Sequence, residues 1–94
     1  MNLEIITPDK TLYEGKVSLI QVPGSLGQFE ILQYHAPIIS TLEKGKIKIE
    51  ESGGTTQHFD IEGGVVEVQR NKAIIVAGVL FLVLVVTFLT LKKK

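Results

Sequence analysis

The sequence contains no cysteine, which excludes disulfides and thiolate metal centres. It has no excess of either charge: ten lysines and arginines balance ten aspartates and glutamates. The electrostatic case for a nucleic-acid partner is therefore absent. Nor does Met1-Asn2-Leu3-Glu4 supply the basic start and apolar run of a secretory signal, so the folded part is expected in the cytoplasm. No amphipathic helical period occurs before residue 78. The 94 residues suffice for one domain with a modest core, or for a smaller domain and an attached segment.

What the chain does contain is short apolar runs separated by turn residues. Leu3 to Ile6 ends at Thr7-Pro8-Asp9, a turn signal. Thr11 to Tyr13 reads as a second short strand before Glu14-Gly15. Val17 to Val22 reads as a third, stopping at Pro23-Gly24. Phe29 and Ile31 alternate with Gln28 and Glu30, the period of a half-buried strand. Pro37 holds Ala36 extended, so His35-Ala36-Pro37 is a bend. Ile38 to Leu42 is a further strand, closed by Gly45. Lys46 to Glu50 places isoleucines inward and charges outward. Ser52-Gly53-Gly54 makes a hairpin tip, and Gln57 to Glu62 alternates back along its partner. After Gly63-Gly64 come Val66 and Val68, a polar loop at Arg70-Asn71-Lys72, and a last strand from Ile74 to Ala77. This regular spacing predicts an all-β fold over residues 1–77, an antiparallel β-sandwich or flattened barrel, followed by an apolar C-terminal tail over 78–94.

Little in this pattern carries chemistry. His58 falls on the outward face of a strand, as a solvated side chain. His35 stands in a bend, where a histidine commonly fixes a loop by bonding its backbone. Glu50 and Glu51 are adjacent and so point to opposite faces. Gly24-Ser25-Leu26-Gly27 is too short for a phosphate-binding loop, and no helix follows it. Asp9-Lys10 lies after the first strand and not at the mid-chain hairpin tip that a lipoyl or biotinyl lysine occupies. No catalytic residue, metal or cofactor is expected, and function is sought in surfaces.

The run Pro23-Gly24-Ser25-x-Gly27-x-Phe29-x-Ile31-Leu32-x-x-His35-Ala36-Pro37, continued by Leu42 and Gly45, resembles the epsilon subunit of the rotary ATP synthase. In particular it is similar to the N-terminal β-sandwich of the short bacterial form. Leu3 to Asp9 before it, and Gly63 to Val68 with Asn71 and Ile74 to Ala77 after it, extend the resemblance over most of the chain. The resemblance implies a non-catalytic rotor subunit at the foot of the central stalk, on the cytoplasmic face of the bacterial inner membrane. Its partners would be the gamma subunit and the ring of c subunits, which turns under proton or sodium flow. Carried over by motif, Gly24, Ser25, Gly27, Gln28 and His35 would face the ring, and Ile38, Ile39 and Ser40 would face gamma. Gln28 stands where the family often has an acid, and Tyr34 where it often has a small or polar residue.

The tail departs from the family. Many epsilon subunits continue into a polar two-helix hairpin, whereas Gly78 to Leu91 is apolar and uncharged before Lys92-Lys93-Lys94. Inhibition by such a hairpin is therefore not expected. As a helix, Gly78 to Leu91 would reach about 21 Å, against roughly 30 Å of membrane hydrocarbon. Tilted or partial insertion with contact to lipid, packing on the sandwich, and no evolved role all remain open. A tail-anchored β-sandwich adaptor that holds another protein at the membrane is the alternative reading.

Overall fold

The computed structural model describes residues 1–78; the expectations for the apolar tail lie outside the described residues. The described chain forms eight strands and no helix: β1 (Asn2–Ile6), β2 (Thr11–Gly24), β3 (Gly27–Leu32), β4 (Ile38–Leu42), β5 (Gly45–Glu51), β6 (Thr56–Ile61), β7 (Gly64–Gln69) and β8 (Lys72–Ala77). The first part of β2 pairs with β1, which continues through β8 and β7 to β4. Its second part lies between β3 and β5, and β5 continues to β6. Both layers thus share one strand. All pairings are antiparallel except β1 with β8. That parallel pair sets the first strand beside the last, with the rest of the fold as its crossover.

The all-β fold is as expected, but β2 corrects its local reading. Two short strands divided at Glu14-Gly15, the second ending at Pro23-Gly24, are one strand of 14 residues. Gly15 does not turn the chain; it pairs with Leu3 and makes room for Tyr13, whose hydroxyl would lie 2.7 Å from a Cβ there. Pro23 is also inside the strand. Its missing N–H costs nothing, because its carbonyl faces away from β3 and accepts the Glu43 amide at 2.8 Å. The turn falls at Ser25-Leu26, and Gly27 completes it at φ 132°.

Isoleucine and valine make most of the core. Ile5, Val17, Ile20, Val22, Ile31, Ile47, Ile49, Val66 and Ile75 are fully buried, and no polar or charged side chain among the described residues is. On β5 the alternation holds: Ile47 and Ile49 go inward, while Lys46 reaches Asp60 at 3.9 Å and Lys48 reaches Glu50 at 3.8 Å. These pairs are exposed and contribute little to stability. Between the layers, Tyr13 meets Phe59 edge-on with ring centres 5.8 Å apart. The Tyr13 hydroxyl donates to Glu51 Oε2 at 3.0 Å, and Gln57 Nε2 donates to Glu51 Oε1 at 2.7 Å.

Two consequences are measurable. Gly64 has φ 157°, and a Cβ on it would run into the Val76 carbonyl oxygen of the neighbouring strand. Gly64→Ala should lower stability by about 2 kcal/mol in urea unfolding. Burial, then the Glu51 hydrogen bond and charge, push the Tyr13 phenol above its ordinary 10.0. The stabilisation from neutral Tyr13 is fully present below pH 10 and is lost as the pH rises through its higher folded value. Tyr13→Phe should cost about 1 kcal/mol at neutral pH, and its deficit against the unsubstituted chain should shrink at pH 11 and above.

Candidate functional site

The β2–β3 hairpin tip and the middle of β4 enclose an open hollow of about 620 Å³. Gly24, Ser25, Gly27 and Gln28 line it from the tip, and Ile39 and Ser40 from β4. The tip is held against β4 by three bonds. The Ser25 amide donates to the Thr41 carbonyl at 3.0 Å, Thr41 Oγ1 donates to Ser25 Oγ at 2.8 Å, and the Glu43 amide donates to Pro23 as above. Gly24 is required by close approach, since a Cβ on it would lie 2.7 Å from both the Gly27 carbonyl oxygen and the Phe29 ring. The structure therefore brings four of the residues expected at the ring together with two of those expected at gamma.

His35 is not among them. It follows the opposite end of β3, a strand length away, or about 17 Å at ~3.4 Å per residue. Its Nδ1 donates to the Ala36 carbonyl at 2.8 Å, and its amide to the Leu32 carbonyl at 3.2 Å, so the residue fixes its own bend. Just before it, the Tyr34 amide donates to Asn71 Oδ1 at 2.8 Å. Asn71 and Arg70 form the β7–β8 turn with φ 59° and 53°, the conformation a two-residue hairpin favours. Tyr34 itself has φ 62°, an unfavourable region for a bulky side chain.

The trio on β4 divides by alternation. Ile38 packs on the core, Ser40 is half-buried with Oγ donating to the Thr41 carbonyl at 3.2 Å, and Ile39 faces outward. Sequence reasoning singled out Ile39 and Tyr34 but missed Leu26 and Leu32, which are exposed as well. Leu26, Leu32, Tyr34 and Ile39 are 105%, 52%, 81% and 61% exposed, and they are the large hydrophobics exposed among the described residues. All four fall between residues 26 and 39. A signal was present for Leu32, which shares the parity of the outward Gln28 and Glu30. His58 is exposed on β6, as expected.

A profile described as ATP synthase, Delta/Epsilon chain, beta-sandwich domain matches residues 1–82. The chain belongs to this family. An ATP synthase epsilon chain of Chlorobium limicola is 41% identical over 73 residues, covering 78% of this chain and 83% of that one. One from Caulobacter vibrioides is 38% identical over 68 residues, covering 72% and 78%. Among solved structures, a chain in the cryo-EM structure of the Euglena gracilis mitochondrial ATP synthase, OSCP/F1/c-ring, superposes with a TM-score of 0.75 at 22% identity. The match covers 80% of this chain and 48% of that one, so this chain spans about half its length. A chain in the Tetrahymena thermophila central stalk and c-ring structure gives 0.68 at 24% identity, covering 82% and 62%. At these identities the two structures show the shared fold.

Within this delta/epsilon sandwich, Tyr34 is both strained and exposed. Tyr34→Gly should raise the stability of the chain by about 1 kcal/mol, because glycine adopts φ 62° without the Cβ clash. Thermal unfolding checks this; a Tm that falls would show that the ring stabilises the fold.

Proposed function

We propose that this chain is a non-catalytic central-stalk subunit of a proton- or sodium-translocating ATP synthase. It links the gamma subunit to the c-subunit ring on the cytoplasmic face of a bacterial inner membrane, turns with both, and so couples ion flow to ATP synthesis. The observation that carries the reading is the concentration of exposed apolar side chains between Leu26 and Ile39, in a domain whose buried side chains are otherwise apolar and self-contained. Exposed apolar side chains gathered in one short stretch of a small domain mark a surface that binds another protein.

The tip at Gly24, Ser25, Gly27 and Gln28 meets the polar loops of the ring, with Leu26 as its apolar contact. Gln28 both donates and accepts there, in place of an acid. Ile39, flanked by Ile38 and Ser40, contributes to the gamma side. His35 serves by shaping the bend that presents Tyr34. No step of ATP chemistry is assigned to this chain; its work is mechanical.

Purification of the full chain from membranes tests the reading. Gamma and the ring should be found in the same particle. Leu26→Asp should weaken retention on the ring about tenfold or more, with ATP hydrolysis by the head preserved and ion pumping reduced. Unaltered pumping would overturn the assignment of the tip. Absence of gamma from the particle would overturn the stalk reading in favour of a membrane adaptor.

A further inference from the structure

Among the described residues, the outer edge of β3 offers main-chain groups that no strand pairs. Among the described residues β3 pairs with β2 alone. Pro23 has no N–H and gives its carbonyl to Glu43, so the ladder bonds run through the alternate pairs Gly24↔Gly27, Val22↔Phe29 and Ile20↔Ile31. The amides and carbonyls of Gln28, Glu30 and Leu32 consequently point away from β2. His35 takes the Leu32 carbonyl; those of Gln28 and Glu30, and both their amides, face outward on exposed residues.

The neighbouring edge of β4 is poorer. The Thr41 carbonyl is occupied by Ser25, and Pro37 has no amide to give, which leaves the main chain of Ile39 and the Thr41 amide. Edge strands in soluble domains are usually guarded by lysine, proline or a bulge. β3 has none of these, and Glu30 is its one charge. Its edge opens at the tip end into the hollow that Ile39 also lines.

We propose that an extended segment of the gamma subunit adds to β3 as a further strand. Main-chain bonds to Gln28 and Glu30 would give the affinity, a basic side chain opposite Glu30 and apolar ones over Leu32 and Ile39 the specificity. This rests on the central-stalk reading above. A second copy of this chain fits the edge less well, because it would bring Glu30 close to its own like.

Amide hydrogen exchange on the full chain, free and bound to gamma, tests the proposal. The amides of Gln28 and Glu30 should exchange freely in the free chain and slow by about 100-fold or more in the complex. Glu30→Pro deletes an outward N–H that the β2 ladder does not use. It should weaken gamma binding about 30-fold, whereas Glu30→Ala, which keeps the N–H, should cost about threefold. Should Glu30→Pro fail to fold, the exchange comparison on the unsubstituted chain decides. A gamma complex in which both amides still exchange freely overturns strand addition and leaves the stalk reading standing. Slow exchange already in the free chain overturns it too, in favour of another segment of this chain, or of a second copy if the slowing grows with concentration. Failure to bind gamma at all overturns both.

Discussion

The fold depends on β2 being one strand in two layers. Along it, Val17 is buried at an odd position, whereas Ile20 and Val22 are buried at even ones. Strict alternation cannot do this. The register with β5 shows how it happens: Val17 pairs with Glu51 and Leu19 with Glu50, so Ser18 is an extra residue in the ladder. Its hydroxyl donates to the Glu50 carbonyl at 3.3 Å. Such a bulge bends the strand and switches which face points inward. Here it lets the first half pair with β1 and the second half with β3 and β5, while both keep their apolar side chains in one core.

The same strand was the hardest to read. β5 and β6 were legible because isoleucine and charge alternate without interruption from Lys46 to Glu50 and find their register through a glycine tip. The parity break at Ser18 passes unnoticed inside the run from Val17 to Val22; β2 looked like two strands because Gly15 and Pro23 are residues that usually mark turns. Each has a local reason to sit in a strand instead: a tyrosine that folds over Gly15, and a carbonyl of Pro23 that faces the β4–β5 corner. The parallel pairing of β1 with β8 joins the two ends of the described chain, and no local pattern specifies it. Of the site, the motif residues at the tip were legible through resemblance. The strain at Tyr34 was not, since it is a property of φ and of the Asn71 side chain that catches its amide.

Pairing and exposed apolar surface are divided between two sides of the molecule. On one, β1 is paired along both edges, to β2 and to β8, and its Leu3 and Ile5 are fully buried. On the other, β3 and β4 diverge after the Ser25–Thr41 contacts, and the exposed apolar side chains gather there. A substitution at Gly64 or Tyr13 therefore acts on the folded state as a whole, whereas one at Leu26 removes little that the isolated domain uses.

This division has a mechanical consequence. In the stalk role proposed above, the surface that meets the partners must stay fixed relative to the core. The surface between Leu26 and Ile39 is tied down at three separated points: Ser25 to Thr41 at the tip, the β2–β3 ladder along its length, and Tyr34 to Asn71 at the far end. The last of these anchors the bend to the β7–β8 turn, which belongs to the other layer. Load applied at the tip or along β3 thus passes into both layers and not through a single hinge. The unfavourable φ of Tyr34 is accepted at the point where that connection is made, and the side chain it presents is left exposed.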